Sequence, residues 1–479
     1  MRFVFSILLL TLIVRLSAQP NLKLIELNAE FDQPVDMTKA QDGTDDIYVT
    51  ERLGKVYRYS RSDEQVRLVL DLTDIVVSKT LGGLVGLDFH PAFPDSAYFY
   101  VNYTTDSEDP AVALVSVISR FTMGDNDVAD LDSEYKILEI DQPGTYHNLG
   151  DVAFGPDGYL YIPSGDGSLS NDEFRAGQNP QSMLGKLLRV DVDRPGPEAN
   201  YSIPPSNPYA NSTDTLPEIW SMGLRNPRQL SFDRNTQDLW IGDIGEFNYQ
   251  EMNYQKAGNT GGQNYGWSCM EGSQPYLLRI KECNPGNLYD QPRFEYPRTS
   301  NDGINGAFIV GGYVYRGPVD ALNGYFFFGD FLGSALYMYY VDSTGAKIHR
   351  ADLNQRVSNV SCFGESNDGS LFVGSYNGKI YRIEAAQPVS TPVKSVTKPQ
   401  LSVFPNPARS TVRITSSAAT TEPGHVQLLS LCGKEIASWT EYADPHATIE
   451  LQLPPVPPGL YLIRMEQAGH QTVAKLTIH

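Results

Sequence analysis

One phrase, repeated through the first four-fifths of the chain, limits the fold more than any other feature. It is an Asp/Gly/Asn turn, a short apolar-aromatic strand, a gap, and a second strand ending in an apolar or aromatic pair. It reads DGTDDIYVTERLGKVYRY from Asp42, DSAYFYVNY from Asp95, GPDGYLYIPSGDG from Gly155 with GKLLRVDVD from Gly185, TQDLWIGDIGE from Thr236, NGYFFFGDFLGSALYMYY from Asn323 and NDGSLFVGSYNGKIYRIE from Asn367. The strands are short, rich in Tyr, Phe, Val and Ile, and bounded by turn residues, and almost no stretch carries a sustained helical period. Such a unit cannot bury its apolar face alone and has to stack on its neighbours. Six phrases over roughly 360 residues predict an all-β chain with a six-bladed β-propeller over residues 19–385, because a decorated four-stranded blade takes about 40–60 residues.

The pattern stops where AAQPVSTPVKSVTKPQ begins at Ala385. Prolines and small polar residues replace aromatic strands there, as in a linker, assigned to residues 386–400. From Leu401 to His479 short alternating strands (LSVF, TVRITS, HVQLLS, ATIELQL, GLYLIRM, AKLTI) predict a small C-terminal β-sandwich. At the other end Arg2, an apolar run from Phe3 to Val14, Arg15 and the small residues Ser17 and Ala18 have the layout of a signal peptide, expected to be cut after Ala18. No later stretch approaches membrane-spanning length, so no integral membrane segment is expected.

Lys and Arg number 37 against 57 acidic residues, a net charge of −20. That balance repels a phosphate backbone and excludes nucleic acid as a natural partner. Four cysteines in an exported chain invite a disulfide. Cys269 and Cys283 share one stretch rich in Gly, Pro and Asn and are expected to pair, whereas Cys362 and Cys432 fall in different predicted domains and read as small buried residues. The Asp-rich runs DGTDD and GDGSLSNDE lack the spacing of an EF-hand loop and read as solvated turns. No GxSxG elbow or HExxH pair supports a hydrolase.

The tail motifs, FPNP at Phe404, the Gly433-Lys434 turn and GLYL at Gly459, closely resemble the type A sorting domain of the type IX secretion system of Bacteroidetes. This resemblance implies passage through that machinery to the medium or the outer cell surface. In the body, GGLVGLDFHPAFP from Gly82, YHNLGDVAFGPDGYLYIPSGDG from Tyr146, GLRNPRQLSFD from Gly223 and GGQNYGWSCMEG from Gly261 resemble the glucose/sorbosone dehydrogenase family. That family includes soluble aldose dehydrogenases dependent on pyrroloquinoline quinone (PQQ) and also the propeller of Hedgehog-interacting protein, which binds protein and oxidises nothing.

Oxidation of a sugar at its anomeric carbon removes a hydroxyl proton while a hydride leaves to an acceptor, and histidine is the usual base near neutral pH. Of the propeller histidines His90, His147 and His349, only His147 lies in a loop just ahead of a strand in a family-matching phrase. The resemblance makes it the catalytic base, while His90, before Pro91, reads as a turn residue. By the same resemblance Arg225 and Asn226 contact PQQ, with Arg356 as a second arginine. The phrase GDIGEFNYQEMN resembles the calcium-bearing loop, with the carbonyls of Gly245 and Glu246 as ligands and Glu251 as a structural acid. PQQ carries three carboxylates, served by guanidinium forks, and calcium is a hard ion served by oxygen. Three positions depart from the pattern: Leu81 stands where the dehydrogenases carry Gln or Glu, Leu332 where they carry lysine, and Ser358 where they carry arginine. The leading expectation is a PQQ- and calcium-dependent sugar dehydrogenase passing electrons to an external acceptor. The alternative is a non-catalytic propeller that binds glycan or protein at the surface.

Overall fold

The computed structural model describes residues 20–276, 283, 288–298, 306–351, 355–386, 401–416, 424–430, 434–441, 448–467 and 470–479. The expected signal peptide, nearly all of the expected linker, Cys432 and Gly433 lie outside the described residues. The chain forms two compact units, Met1–Ala386 and Gln387–His479. Among the described residues there is no α-helix, only two single 3-10 turns, and no helix is long and apolar enough to cross a membrane.

In the first unit the turn–strand phrases become six four-stranded antiparallel sheets, each a meander in chain order except the last. The first sheet runs Pro34–Thr38, Ile47–Glu51, Lys55–Tyr59, Val66–Asp71; the second Leu84–Phe89, Tyr98–Thr105, Leu114–Met123, Ala129–Gln142; the third Ala153–Phe154, Leu160–Ser164, Lys186–Val190, Ile219–Met222. The fourth is Pro227–Phe232, Leu239–Asp243, Tyr249–Gln255, Phe294–Pro297, and the fifth Ile309–Val314, Phe326–Asp330, Ala335–Asp342, Gly345–Arg350. The sixth joins Val360–Glu365, Leu371–Ser375 and Lys379–Ala385 to Leu22–Glu30 from the start of the unit, which pairs as its outer strand with Leu24 opposite Ile383. The two ends of the unit are thereby tied together by main-chain hydrogen bonds.

Apolar side chains fill the space between successive sheets. Tyr48 of the first sheet lies against Phe89 of the second at 4.5 Å between ring centroids, and Trp240 of the fourth stacks on Phe326 of the fifth at 4.4 Å. The leading strands also touch: Pro34–Thr38 contacts both Leu84–Phe89 and Val360–Glu365, and Ile309–Val314 contacts both Pro227–Phe232 and Val360–Glu365. Glycine makes this approach possible. A Cβ on Gly311 would sit 2.4 Å from the Gln229 carbonyl oxygen, and one on Gly364 would sit 2.5 Å from the Met37 Cβ. Gln229 reaches past Gly311 to the sixth sheet, donating to the Phe363 carbonyl at 2.9 Å and accepting from its N–H at 3.1 Å.

The second unit holds a three-stranded sheet (Leu401–Phe404, Thr411–Ser416, Thr448–Gln452) and a four-stranded one (Glu435–Glu441, Gly424–Leu429, Gly459–Gln467, His470–Ile478), around a core that includes Val412, Ile414, Val426, Ile463 and Leu476. Back in the first unit, Cys269 and Cys283 form a disulfide with Cα atoms 5.3 Å apart, and Cys362 is free and buried.

Candidate functional site

His147 sits in the connection from the second sheet to the third, with a left-handed backbone (φ 44°). A non-glycine residue held there is uncommon and costs of order 1 kcal/mol or more unless its surroundings fix it. The segment after Ser164 does the fixing: Gly167 donates to the His147 carbonyl at 3.2 Å and Gly165 to the Asn148 carbonyl at 3.0 Å. A Cβ on Gly165 would sit 2.2 Å from the His147 carbonyl oxygen, so only glycine allows that loop so close.

The same segment supplies the partner of the imidazole. Asp166, fully buried, places Oδ1 2.7 Å from His147 Nδ1, while its Oδ2 accepts from Trp267 Nε1 at 2.7 Å. A carboxylate accepting at Nδ1 fixes the proton there and leaves Nε2 as the unprotonated nitrogen. Nε2 has no protein partner among the described residues. Burial holds the imidazole below its ordinary pKa, the Asp166 hydrogen bond working against that and the nearby Arg225 charge adding to it. The result is an oriented imidazole whose neutral form is favoured by burial.

Arg225 and Asn226 lead into the first strand of the fourth sheet, their main-chain N–H groups held by the two oxygens of Asp243 at 2.9 and 2.7 Å. Burial pushes Asp243 up to about 6. The Arg225 guanidinium uses four of its five donors: Nε and Nη2 donate to Glu246 Oε2 at 3.0 and 2.7 Å, and Nη1 to the carbonyls of Ile244 and Gly245 at 2.9 and 3.0 Å. It also lies over the Trp267 ring, 5.3 Å from the centroid, and its own carbonyl accepts from Asp166 N–H at 2.8 Å. The Asn226 side chain, also buried, has no protein partner among the described residues.

The loop after Asp243 is organised by Glu271, whose Oε1 accepts from the N–H groups of Glu246, Phe247 and Asn248 at 2.8, 2.7 and 2.8 Å. With its amides turned to Glu271, the loop presents carbonyls to arginines. Gly245 serves Arg225, and Glu246 accepts from Arg298 Nη1 at 2.6 Å. Both carbonyls assigned to calcium therefore face guanidinium cations, and that donor set does not fit a dication as it stands. Among the described residues no group of three or more His, Cys, Asp or Glu is placed to hold a metal.

His147, Arg225, Asn226, Gly245 and Glu246 thus come together around Asp166 and Trp267, whereas Arg356 is exposed and makes no contact with this group. Leu332 and Ser358 are exposed, and Leu81 lines a cavity beside the site. Glu251 is buried, accepting from Gly272 N–H at 2.5 Å. The reading of GDGSLSNDE as a solvated turn is corrected: Asp166 and Asp172 are both buried, because the glycines around Asp166 let the loop fold inward and Asp172 accepts from Ala176 N–H at 2.7 Å and Ser268 Oγ at 2.9 Å. In DGTDD, Asp46 is likewise buried, paired with Arg58 at 2.7 Å. Sequence reasoning also missed Trp267, Glu271 and Arg298. Trp267 and Glu271 lie inside the phrase from Gly261, so their signal was present but carried no role.

Comparison with known proteins follows these lines. Residues 31–382 match the family model described as glucose/sorbosone dehydrogenase, and residues 402–479 match a secretion system C-terminal sorting domain. HIPL2 protein of Arabidopsis thaliana is 28% identical over 63% of this chain and 51% of its own length. Mouse Hedgehog-interacting protein is 29% identical over 75% and 52%. The chain spans about half the length of these curated relatives. The apo structure of a soluble aldose sugar dehydrogenase from Escherichia coli superposes with a TM-score of 0.59 at 19% identity, covering 76% of this chain and all of that one, a likeness of fold.

Proposed function

The chain belongs to the glucose/sorbosone dehydrogenase family, and from that membership and the site around His147 we propose that it oxidises the anomeric hydroxyl of an aldose. Its C-terminal sorting domain makes it a secreted or cell-surface protein that uses secretion machinery. The six sheets are read as the blades of a six-bladed propeller, with residues 1–18 as a cleaved leader, 386–400 as a linker and 401–479 as a type IX sorting domain.

The observation that carries the reading is the buried Asp166–His147 pair with Nε2 left free. In this role Nε2 takes the hydroxyl proton of the sugar. Asp166 keeps the other ring nitrogen protonated and stabilises the imidazolium that forms. Trp267 holds the second Asp166 oxygen, and the left-handed turn at His147 fixes the ring's direction. When bound, the PQQ quinone supplies the acceptor for the hydride that leaves the same carbon. The Asn226 amide and His147 Nε2, both without a protein partner among the described residues, suit a polar ligand there; Arg225 is already balanced by Glu246 and acts as a brace for the loop. Calcium is left out of this assignment, since guanidinium groups hold the two carbonyls it would need. The test is a titration of the purified protein with PQQ, with and without calcium, followed by absorbance on adding aldoses.

One observation favours the alternative of a non-catalytic binding propeller: Arg225 bonds the Glu246 carboxylate and the Ile244 and Gly245 carbonyls, as in a structural element. Failure to bind PQQ together with retained affinity for glycan or protein would select it.

A further inference from the structure

Beside the His147 loop is a mostly apolar cavity of about 110 Å³ whose polar lining includes two arginines, Arg52 and Arg228, with Thr80, Gln229, Ser361 and Tyr376. This volume is far above the roughly 10–15 Å³ one water needs. Val35, Leu81, Phe308 and Phe331 contribute apolar wall. Arg52 is anchored from behind, Nη1 donating to the carbonyls of Thr80 and Gly82 at 3.0 Å each and Nε to Gln33 Oε1 at 3.2 Å. Arg228, on the first strand of the fourth sheet, is different. Its side chain makes no hydrogen bond or ion pair with any other described residue, although it is half-buried on a leading strand.

The carboxyl groups that face Arg228 are those of Asp151 and Asp36. Burial and mutual repulsion push Asp36 up to about 7 and Asp151 well above the carboxylate range, so the two resist being ionised together, and neither forms an ion pair with Arg228. Arg52 adds a like charge. Arg228 is half-buried, and apolar walls strengthen the field of its charge toward whatever enters the cavity. The cavity is also joined to the loop that carries the candidate base, though His147 itself does not line it. Thr80, in its wall, meets Thr145 with hydroxyl oxygens 2.9 Å apart, and Asp151 N–H donates to the Arg228 carbonyl at 2.8 Å, so the two ends of the His147 loop are pinned to the cavity's rim.

We infer that this cavity receives a carboxylate of the ligand on which the His147 site acts, with Arg228 and Arg52 as its cationic receptor. The inference rests on the reading of that site and relocates the anion receptor: Arg225 is paired with Glu246 and Arg356 is exposed and does not line the cavity, while Arg228 lines it without a hydrogen-bond partner among the described residues. The carboxylate has two possible sources, the tricarboxylate cofactor and a sugar acid of the hexuronate class, and a titration separates them.

The full-length exported protein and its Arg228→Gln, Arg228→Lys and His147→Ala variants are titrated calorimetrically with PQQ, with glucuronate and with glucose as the uncharged control. Wild type is expected to bind at least one of the two carboxylates, Arg228→Gln to bind it about 10–100-fold more weakly, and Arg228→Lys to recover part of the loss. Binding of glucuronate assigns the carboxylate to the substrate, and binding of PQQ alone assigns it to the cofactor. The melting temperature of ligand-free Arg228→Gln should equal or exceed that of wild type, because a receptor charge supports no contact in the empty protein. A marked drop would make Arg228 structural and overturn the proposal, as would unchanged affinity of Arg228→Gln for both carboxylates, or wild type binding neither. His147→Ala should keep carboxylate affinity. If carboxylate binding depends on Arg228 but no sugar is oxidised, the receptor stands and the dehydrogenase reading falls.

Discussion

Asp166 Oδ1 lies 2.7 Å from His147 Nδ1, and both side chains are buried. An amide at this position could offer its NH₂ to Nδ1 and turn the ring to the wrong tautomer. Asp166→Asn should therefore lower kcat for aldose oxidation about 10²–10⁴-fold while leaving the affinity for ligand near that of wild type. Steady-state rates with a parallel binding titration check this.

The pH profile follows from the sign of the shift. Burial holds His147 below the ordinary histidine value of about 6.5, so the neutral, proton-accepting form persists to lower pH. The acid limb of kcat/KM should fall below that value, with activity flat above it until another group titrates. Since the Asp166 hydrogen bond and charge raise the histidine pKa, residual activity in Asp166→Asn should show a limb shifted further toward acid.

Glu271 gathers three main-chain N–H groups of the 246–248 segment on one oxygen. Glu271→Ala leaves all three without that acceptor and should destabilise the first unit by about 3 kcal/mol or more, read by urea unfolding of the protein truncated after Ala386. Glu271→Gln keeps an acceptor oxygen and should recover part of the loss.

The disulfide makes a simpler prediction. Of the four cysteines, Cys269 and Cys283 are joined, so denaturation without reductant should expose two reactive thiols and not four. Replacing both with serine should cost roughly 3 kcal/mol, the expectation for a closed loop of about 15 residues.

Fold class was readable because its signals are local: each aromatic strand with its bounding turn, such as GPDGYLYIPSGDG, carries its own period and punctuation. Pairing of Leu22–Glu30 with Lys379–Ala385 is not local, and nothing in either strand announces the other. His147 was legible from the phrase around it. Asp166 was not, since an aspartate between two glycines has the composition of a solvated turn, and only the approach of the His147 carbonyl to Gly165 turns that loop inward. The same limit applies to Arg225. A guanidinium near a family motif reads as a ligand contact, and nothing in the sequence shows that Glu246 and the loop carbonyls also bond it. Arg228, three residues further on, sits in a strand and lines the cavity.

The central claim, that this chain is a sugar dehydrogenase with His147 as its base, is tested most directly by comparing aldose-dependent reduction of an artificial electron acceptor by wild type and His147→Ala, each saturated with PQQ. Wild type should turn over, and His147→Ala should be slower by about 10²–10⁴-fold with PQQ affinity little changed. Equal rates in the two proteins, or no aldose-dependent reduction by wild type with PQQ bound, would contradict it.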